Sequence, residues 1–599
     1  MDTSSVFPSL PAEVVRRICS QLLQEDSNLE FGADDRYPGL RTVATLARTA
    51  KVFHEQALDA IWHTLPGYGF LLYAVPRDAW VETEVQEPHW RKSIHVSLLR
   101  PLVESDFTRL QHYATRVRRI LFPSQCESPR FPPRVNRYEF APSILDAFAS
   151  QSPIKPLLPN LLVLHTSPKP SQAESFYRSL PILFSPKLRS FNTKYSLSFQ
   201  EVQSAHAPCD QSLRHMFTQL HEVAPRLTHL TVDLEYWPLP QAIRNTVSEA
   251  ICQFQHLYGL FSVVPISLEA FTHLARLRSL RVLDARLDSK LVDEKDLAPL
   301  LEIPHNEFFP HLRQLHLAHQ CHISLLTAML RHVWSPWLMT IQVPVPSLRE
   351  PLQQVKDCIA VIGRRRGRKK ITRVYMNITP HYSNSPDTDS VDDDAILPLL
   401  KLKNLTELCL SLGYNFSLDD VICHAMAAAW RNIVVLKLGP YPEQKTSAVT
   451  LGALVSFAHL CPSLRRLNIC LDADVKHLPW QLLALRPGCG KEQTALEVLE
   501  VGRSPIKDAV AVAGVLSDLF PNLCDVESAW DCDDGYSQEE YDGLTEEERE
   551  RVLAETVFYK RWNDAILTLV PQFALVRKQE REWARMNGVA LRPALDISV

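Results

Sequence analysis

Apolar residues recur along this chain at two spacings, one helical and one strand-like. Near the start, Val14, Val15, Ile18 and Leu22 return every three or four residues, which predicts one apolar stripe on a helix. Ser9 can cap that helix, and Pro11 suits its first turn, where a missing N–H would be unpaired anyway. A second helix is predicted in LRTVATLARTAKVF, with Val43, Leu46, Ala47 and Ala50 on one face. A third follows in HEQALDAIWHTL, with Ala57, Leu58, Ile61, Trp62 and Leu65 in line. The polar stretch QEDSNLEFGADDRYPG separates the first helix from the second. Three short helices enclose a very small core, which needs a partner or the rest of the chain to lean on.

Beyond residue 115 the spacing changes, and one phrase keeps returning. It reads PNLLVLHTS, PKLRSFNTK, PRLTHLTVDL, RSLRVLDARL, PHLRQLHLAH, KNLTELCLSL, RNIVVLKLG, PSLRRLNICLD, TALEVLEVG and PNLCDVES. Looser copies stand at TRVRRILF, FQHLYGLFSVV, SPWLMTIQV and KKITRVYMNI, giving about ten to thirteen repeats. The shared L-x-x-L-x-L form resembles a leucine-rich repeat, which implies a short strand with its leucines turned inward and a returning helix. LDDVICHAMAAAWRN and SAVTLGALVSFAHLCPS have the apolar stripes of such helices. The intervening strand positions would be presented outward: His229, Thr231, Asp233, Val282, Asp284, Arg286, Gln314, His316, Glu407, Cys409, Arg466, Asn468, Val498 and Glu500. The polar ones (His229, Asp233, Asp284, Arg286, Gln314, His316, Glu407, Arg466, Asn468, Glu500) are the candidates for binding a protein substrate. Their plainer use is to solvate the surface.

The N-terminal helices carry a second resemblance. Leu10-Pro11-x-Glu13-Val14, then Ile18 and Leu22, with LARTAKVFHEQALDAIWHTL further on, resembles an F-box of the fungal type over about residues 7 to 66. That likeness implies a three-helix module docking on the Skp-type adaptor of a cullin-based ubiquitin ligase. By position, Leu10, Pro11, Glu13, Val14 and Ile18 match the part of the motif that meets the adaptor. Leu22, Leu46, Ala50, Phe53 and Trp62 match its other apolar and small positions. The loop from Glu25 to Arg36 is longer than the family's usual connection. Against this stands the alternative that the three helices only cap a repeat fold, since repeat arrays need capping units. The expected fold class is therefore α/β. Residues 1–66 would form the F-box, 67–114 a helical connector, 115–530 a solenoid with a curved parallel sheet, and 531–599 an acidic loop with a C-terminal helical segment opened by a Thr545–Glu548 capping box.

Composition narrows the function classes. The net charge of −4 gives no overall bias towards nucleic acid or an anionic membrane. No apolar run approaches a membrane span, and no secretory signal opens the chain, so a cytoplasmic or nuclear address is expected. The thirteen cysteines include no CxxC pair, which argues for reduced thiols and against a zinc ribbon. Only 17 glycines are present, and PGCGKEQT lacks the hydroxyl that a phosphate-binding loop places on magnesium. HExxH and G-x-S-x-G are absent too, so neither a cofactor nor catalysis by the chain itself is expected. The basic run GRRRGRKK reads as a solvated connection, an import signal or an anion patch. The expectation is a non-enzymatic substrate receptor whose partners are the adaptor, through it the cullin, and an unknown protein, with the chain a monomer inside a larger complex. An interaction scaffold without a ligase role is the alternative.

Overall fold

The computed structural model describes residues 11–28, 38–86, 92–121, 137–168, 172–196, 210–235, 239–287, 297–318, 323–345, 351–378, 390–412, 414–439, 447–478, 492–530 and 545–587. The chain divides into two compact units, Met1–Leu280 and Arg281–Val599.

The first unit opens with helices α1 (Ala12–Asn28), α2 (Pro38–Thr49) and α3 (Lys51–His63). Their core is Val15, Cys19, Val43, Ala47 and Ala57, with Leu22, Leu23, Leu46, Phe53, Ala60 and Ile61 packed around it. α3 runs directly into a two-residue strand, Thr64–Leu65, which pairs in parallel with Arg119–Ile120. The segment expected to be a helical connector is only partly so. It carries antiparallel strands Trp80–Gln86 and Lys92–Leu98 before the helix Phe107–Ala114. The alternation of Val81, Thr83 and Val85, and of Ile94, Val96 and Leu98, is a strand period. A later strand, Arg137–Phe140, joins that pair in parallel.

From Arg119 onwards the unit repeats. Strands Arg119–Ile120, Val163–Thr166, Ser190–Ser196, His229–Glu235 and Gly259–Ile266 pair in sequence, all parallel. Helices between them, such as Asp210–Val223 and Gln241–Gln253, make the crossovers that parallel pairing requires. Ile120, Leu164, Phe191, Leu230 and Leu260 stand side by side in register, each at most 1% exposed.

Among the described residues the second unit repeats the arrangement with nine parallel strands: Val282–Leu287, Gln314–Ala318, Thr340–Val345, Arg373–Ile378, Glu407–Ser411, Val435–Leu438, Arg466–Asn468, Val498–Gly502 and Asp525–Ser528. Leu283, Leu315, Ile341, Val374, Leu408, Leu436, Leu467 and Leu499 form its inward row. Burying each such side chain contributes roughly 1.5–3 kcal/mol. The row therefore drives the stacking of one repeat on the next. Among the described residues the two ladders hold fifteen strands, above the ten to thirteen repeats expected: all four loose phrases form strands beside the ten clear ones, and Thr64–Leu65, too short to show any alternation, adds one more.

One backbone device recurs at the strand entrances. A single carbonyl of the preceding repeat accepts two consecutive N–H groups, as when Met339 O takes Thr372 N at 2.9 Å and Arg373 N at 3.1 Å. Thr372 O then takes Thr406 N and Glu407 N, and Thr406 O takes Val434 N and Val435 N. Register is thus pinned at the entrance of each strand and copied along the ladder. At the far end, Thr545 and Glu548 form the expected capping box, opening the helix Glu546–Asn563. A π-helical turn, Asp564–Leu569, leads into the helix Val570–Met586. This segment packs on the helix Ala509–Leu519, where Arg577 Nη1 reaches buried Asp518 at 3.2 Å. The indole N–H groups of Trp530 and Trp562 both donate to Ser504 O, at 2.9 and 2.8 Å. No helix among the described residues is long and apolar enough to cross a membrane.

Candidate functional site

Two surfaces take up the residues singled out in the sequence. The first is the outer face of α1. Its apolar positions do not form one stripe, as the spacing suggested, but two. Val15 and Cys19 point inward and are fully buried, whereas Val14 and Ile18, one turn apart, remain 42% and 40% exposed. Pro11 and Glu13 are exposed beside them, and Leu10 lies outside the described residues. Leu22, Leu46 and Phe53 are half-buried against the three-helix core, and Ala50 is exposed just before α3.

Trp62 is engaged within the chain. Its ring stacks on Tyr113 with centroids 4.6 Å apart and planes 17° from parallel. Beside it, Arg116 Nη2 meets Glu55 Oε2 at 2.5 Å, and its Nη1 pairs with Asp59. The hydrogen bond and charge of Arg116 hold the Glu55 carboxyl below its ordinary range. α3 is therefore fastened to the helix Phe107–Ala114 and the turn after it, while α1 keeps its outer face free of any such contact among the described residues.

The second is the face of the second unit's ladder that presents the intervening strand positions. In the second unit the register aligns two rows of presented side chains. One holds Val282, Gln314, Thr340, Arg373, Glu407, Val435, Arg466, Val498 and Asp525. The other holds Asp284, His316, Gln342, Tyr375, Cys409, Lys437, Asn468, Glu500 and Glu527. Neighbours along and between the rows pair off. Asp284 meets His316 Nδ1 at 2.6 Å. Glu407 takes Arg373 at 3.1 Å and the phenol of Tyr375. Glu500 accepts from Asn468 Nδ2 at 2.6 Å and faces Lys437 Nζ at 2.6 Å and Arg466 at 3.5 Å. Arg466 also approaches Glu527 at 3.7 Å.

The ladder thus brings Arg466, Asn468 and Glu500 together, and Asp284 with His316. Gln314, Arg286 and His229 are exposed without joining either group, and Asp233 pairs with Lys194 at 3.5 Å in the first unit. Glu500 is only 6% exposed, so it holds the cations rather than offering itself. Burial pushes the Cys409 thiol up to about 11, which leaves it protonated and unreactive at neutral pH. Arg373, Tyr375 and Lys437 belong to the same surface but were not selected from the sequence. Their repeats, KKITRVYMNI and RNIVVLKLG, show the same alternation, and reading every second position would have found them.

No family model and no curated protein matches this chain.

Proposed function

We propose that this chain is the substrate receptor of a Skp–cullin–F-box ubiquitin ligase, with α1–α3 as the F-box and the repeats as a leucine-rich-repeat-like solenoid. The observation that carries the reading is the pair Val14 and Ile18. A small three-helix unit leaves two branched aliphatic side chains about 40% exposed on its outer face, beside the exposed Pro11 and Glu13. Burying the remainder of two such side chains against a partner is worth roughly 1 kcal/mol each. That matches the motif residues which the resemblance assigns to the adaptor. The ladder face of the second unit supports the other half of the reading. It offers an extended array of paired charges and amides, which suits a protein surface better than a small molecule.

In this role the chain supplies proximity, holding a substrate lysine near activated ubiquitin carried by other subunits. Affinity purification of the full chain is expected to recover the Skp-type adaptor together with a cullin. Leu10→Ala with Pro11→Ala, or Val14→Asp with Ile18→Asp, should lose both, the second pair at unchanged thermal stability, because neither Val14 nor Ile18 belongs to the three-helix core. Retention of the cullin by both double variants would sink the assignment.

A further inference from the structure

The geometry points to a third binding surface, independent of the adaptor reading: the strand-entrance edge of the second unit around Trp337 and Arg366–Lys370 is a site for single-stranded nucleic acid. The whole-chain charge conceals it. Between residues 308 and 386 the sequence has eleven lysines and arginines and only two acids, Glu350 and Asp357. Six of the eleven fall within residues 364–370, the turn between the helix Leu352–Arg364 and the strand Arg373–Ile378.

That turn is held rigidly against its neighbours. Arg365 is turned inward, where its guanidinium donates to Leu330 O and Val333 O, both at 2.6 Å. Gly367 lies so close to the preceding turn that a Cβ would stand 2.9 Å from Pro336 O, which only glycine tolerates. On the other side, Asn404 Nδ2 donates to Lys369 O at 2.7 Å. The third turn, carrying exposed Lys401 and Lys403, is thereby locked to the second. Three adjacent turns thus form one fixed platform.

The cations on it are uncommitted. Arg364, Arg366, Arg368, Lys369 and Lys370 are exposed, and none forms an ion pair among the described residues. Two of them sit over indoles instead: Arg366 lies 5.2 Å from the Trp334 ring and Lys370 5.7 Å from Trp337. Trp337 is 48% exposed and Met339, two residues on, 41%. A tryptophan half in water, with Lys370 beside its ring and no acid paired to that cation among the described residues, is an exposed apolar surface of the kind that marks a binding site. Exposed rings between backbone-seeking cations are the arrangement that binds unpaired bases, which stack on the ring while their phosphates meet the charges. An acidic peptide would use the cations and leave Trp337 idle. A duplex keeps its bases inside and would do the same.

Fluorescence anisotropy of the full chain with a labelled 15-nucleotide oligouridine tests this. Binding is expected at about 50 mM salt, with log affinity falling against log salt by about 0.7 per phosphate engaged. Arg368→Glu with Lys369→Glu should weaken binding at least tenfold and flatten the slope. Both side chains are exposed and unpaired, so thermal melts should be unchanged. Trp337→Ala should weaken binding about tenfold with the slope unaltered, since stacking releases no counterions, and Trp337→Phe should restore most of the loss. Absence of binding at low salt overturns the proposal. So does a duplex of the same length binding as tightly, or a polyglutamate or phosphoserine peptide displacing the oligonucleotide equally from wild type and Trp337→Ala.

Discussion

A few polar side chains do disproportionate structural work because each one serves two repeats at once. Gln493 is 2% exposed and makes four hydrogen bonds: its Nε2 donates to Cys461 O and Leu464 O, and its Oε1 accepts from the N–H groups of Ala495 and Leu496. Removing it strands buried backbone groups, each of which costs about 1–3 kcal/mol without a partner. Gln493→Ala is therefore expected to destabilise the second unit by about 3 kcal/mol. Hydrogen exchange of the 461–478 and 492–499 amides should quicken ahead of those in the first unit; unchanged exchange would show that other groups bridge the turns. Asparagines play a similar part. Asn160, Asn404 and Asn522 each donate to a carbonyl of the preceding repeat, at 2.8, 2.7 and 2.8 Å. All three sit in the phrase N-L before a strand, so their recurrence was visible in PNLLVL, KNLTEL and PNLCDV. What they bond to was not, because the acceptor lies 28 to 45 residues earlier.

At the scale of elements, the repeat phrases located the strands well because leucine spacing there is dictated by burial. All ten clear copies and the four loose ones coincide with a strand of the two ladders. The misses have a common cause. Trp80–Gln86 and Lys92–Leu98 alternate without leucine repeats, and Thr64–Leu65 has no room to alternate, so a search for periodic leucines passes over both. The inner and outer faces of α1 were likewise merged, since one apolar stripe of four residues cannot reveal that half of it is left outside. The juncture after α3 yields a prediction. Trp62 on Tyr113 and Arg116 on Glu55 and Asp59 tie α3 to the helix Phe107–Ala114. Stacked aromatic pairs add about 0.5–1.5 kcal/mol beyond their buried area. Trp62→Ala should raise hydrogen exchange across α2 and α3 severalfold, while the strands from Val163 to Ile266 keep their protection. Loss of protection throughout the first unit would mean that the three helices fold only with the ladder behind them.

Across the whole molecule, a net charge near zero misleads twice. It hides the basic edge described above, and it hides how many carboxylates are tied to specific cations. The hydrogen bond and charge of Arg116 lower the pKa of Glu55, and Arg100 does the same to Asp106, Lys356 to Asp392 and Lys507 to Asp474. Each of these groups is more acidic folded than unfolded, so its stabilisation is complete above the ordinary carboxylate range and is lost as pH falls through the folded values. Two histidines act in the same direction. Burial, and then Arg119, depress His63 and His165 below the ordinary 6.5, so protonating them in acid favours the unfolded chain. Asp393 opposes the trend, since burial and neighbouring carboxylates raise its pKa and its protonation relieves the fold. Glu548, held down by its capping-box hydrogen bonds to Thr545, adds to the trend, so among the described residues one opposing group stands against seven and the net sign is set. Thermal melting recorded from pH 7.5 to 3 should show a shallow decline beginning near pH 6.5, as the histidines charge, and a steep one below about pH 4.5, as the paired carboxylates protonate. Raising salt to about 0.5 M at pH 7 should reproduce only a small part of the loss, because several of these pairs sit at short, hydrogen-bonded distances that screening barely reaches. A melting temperature that stays level down to pH 3.5 would show that the carboxylate–cation pairs are ornaments of the surface, with the leucine rows carrying the stability alone.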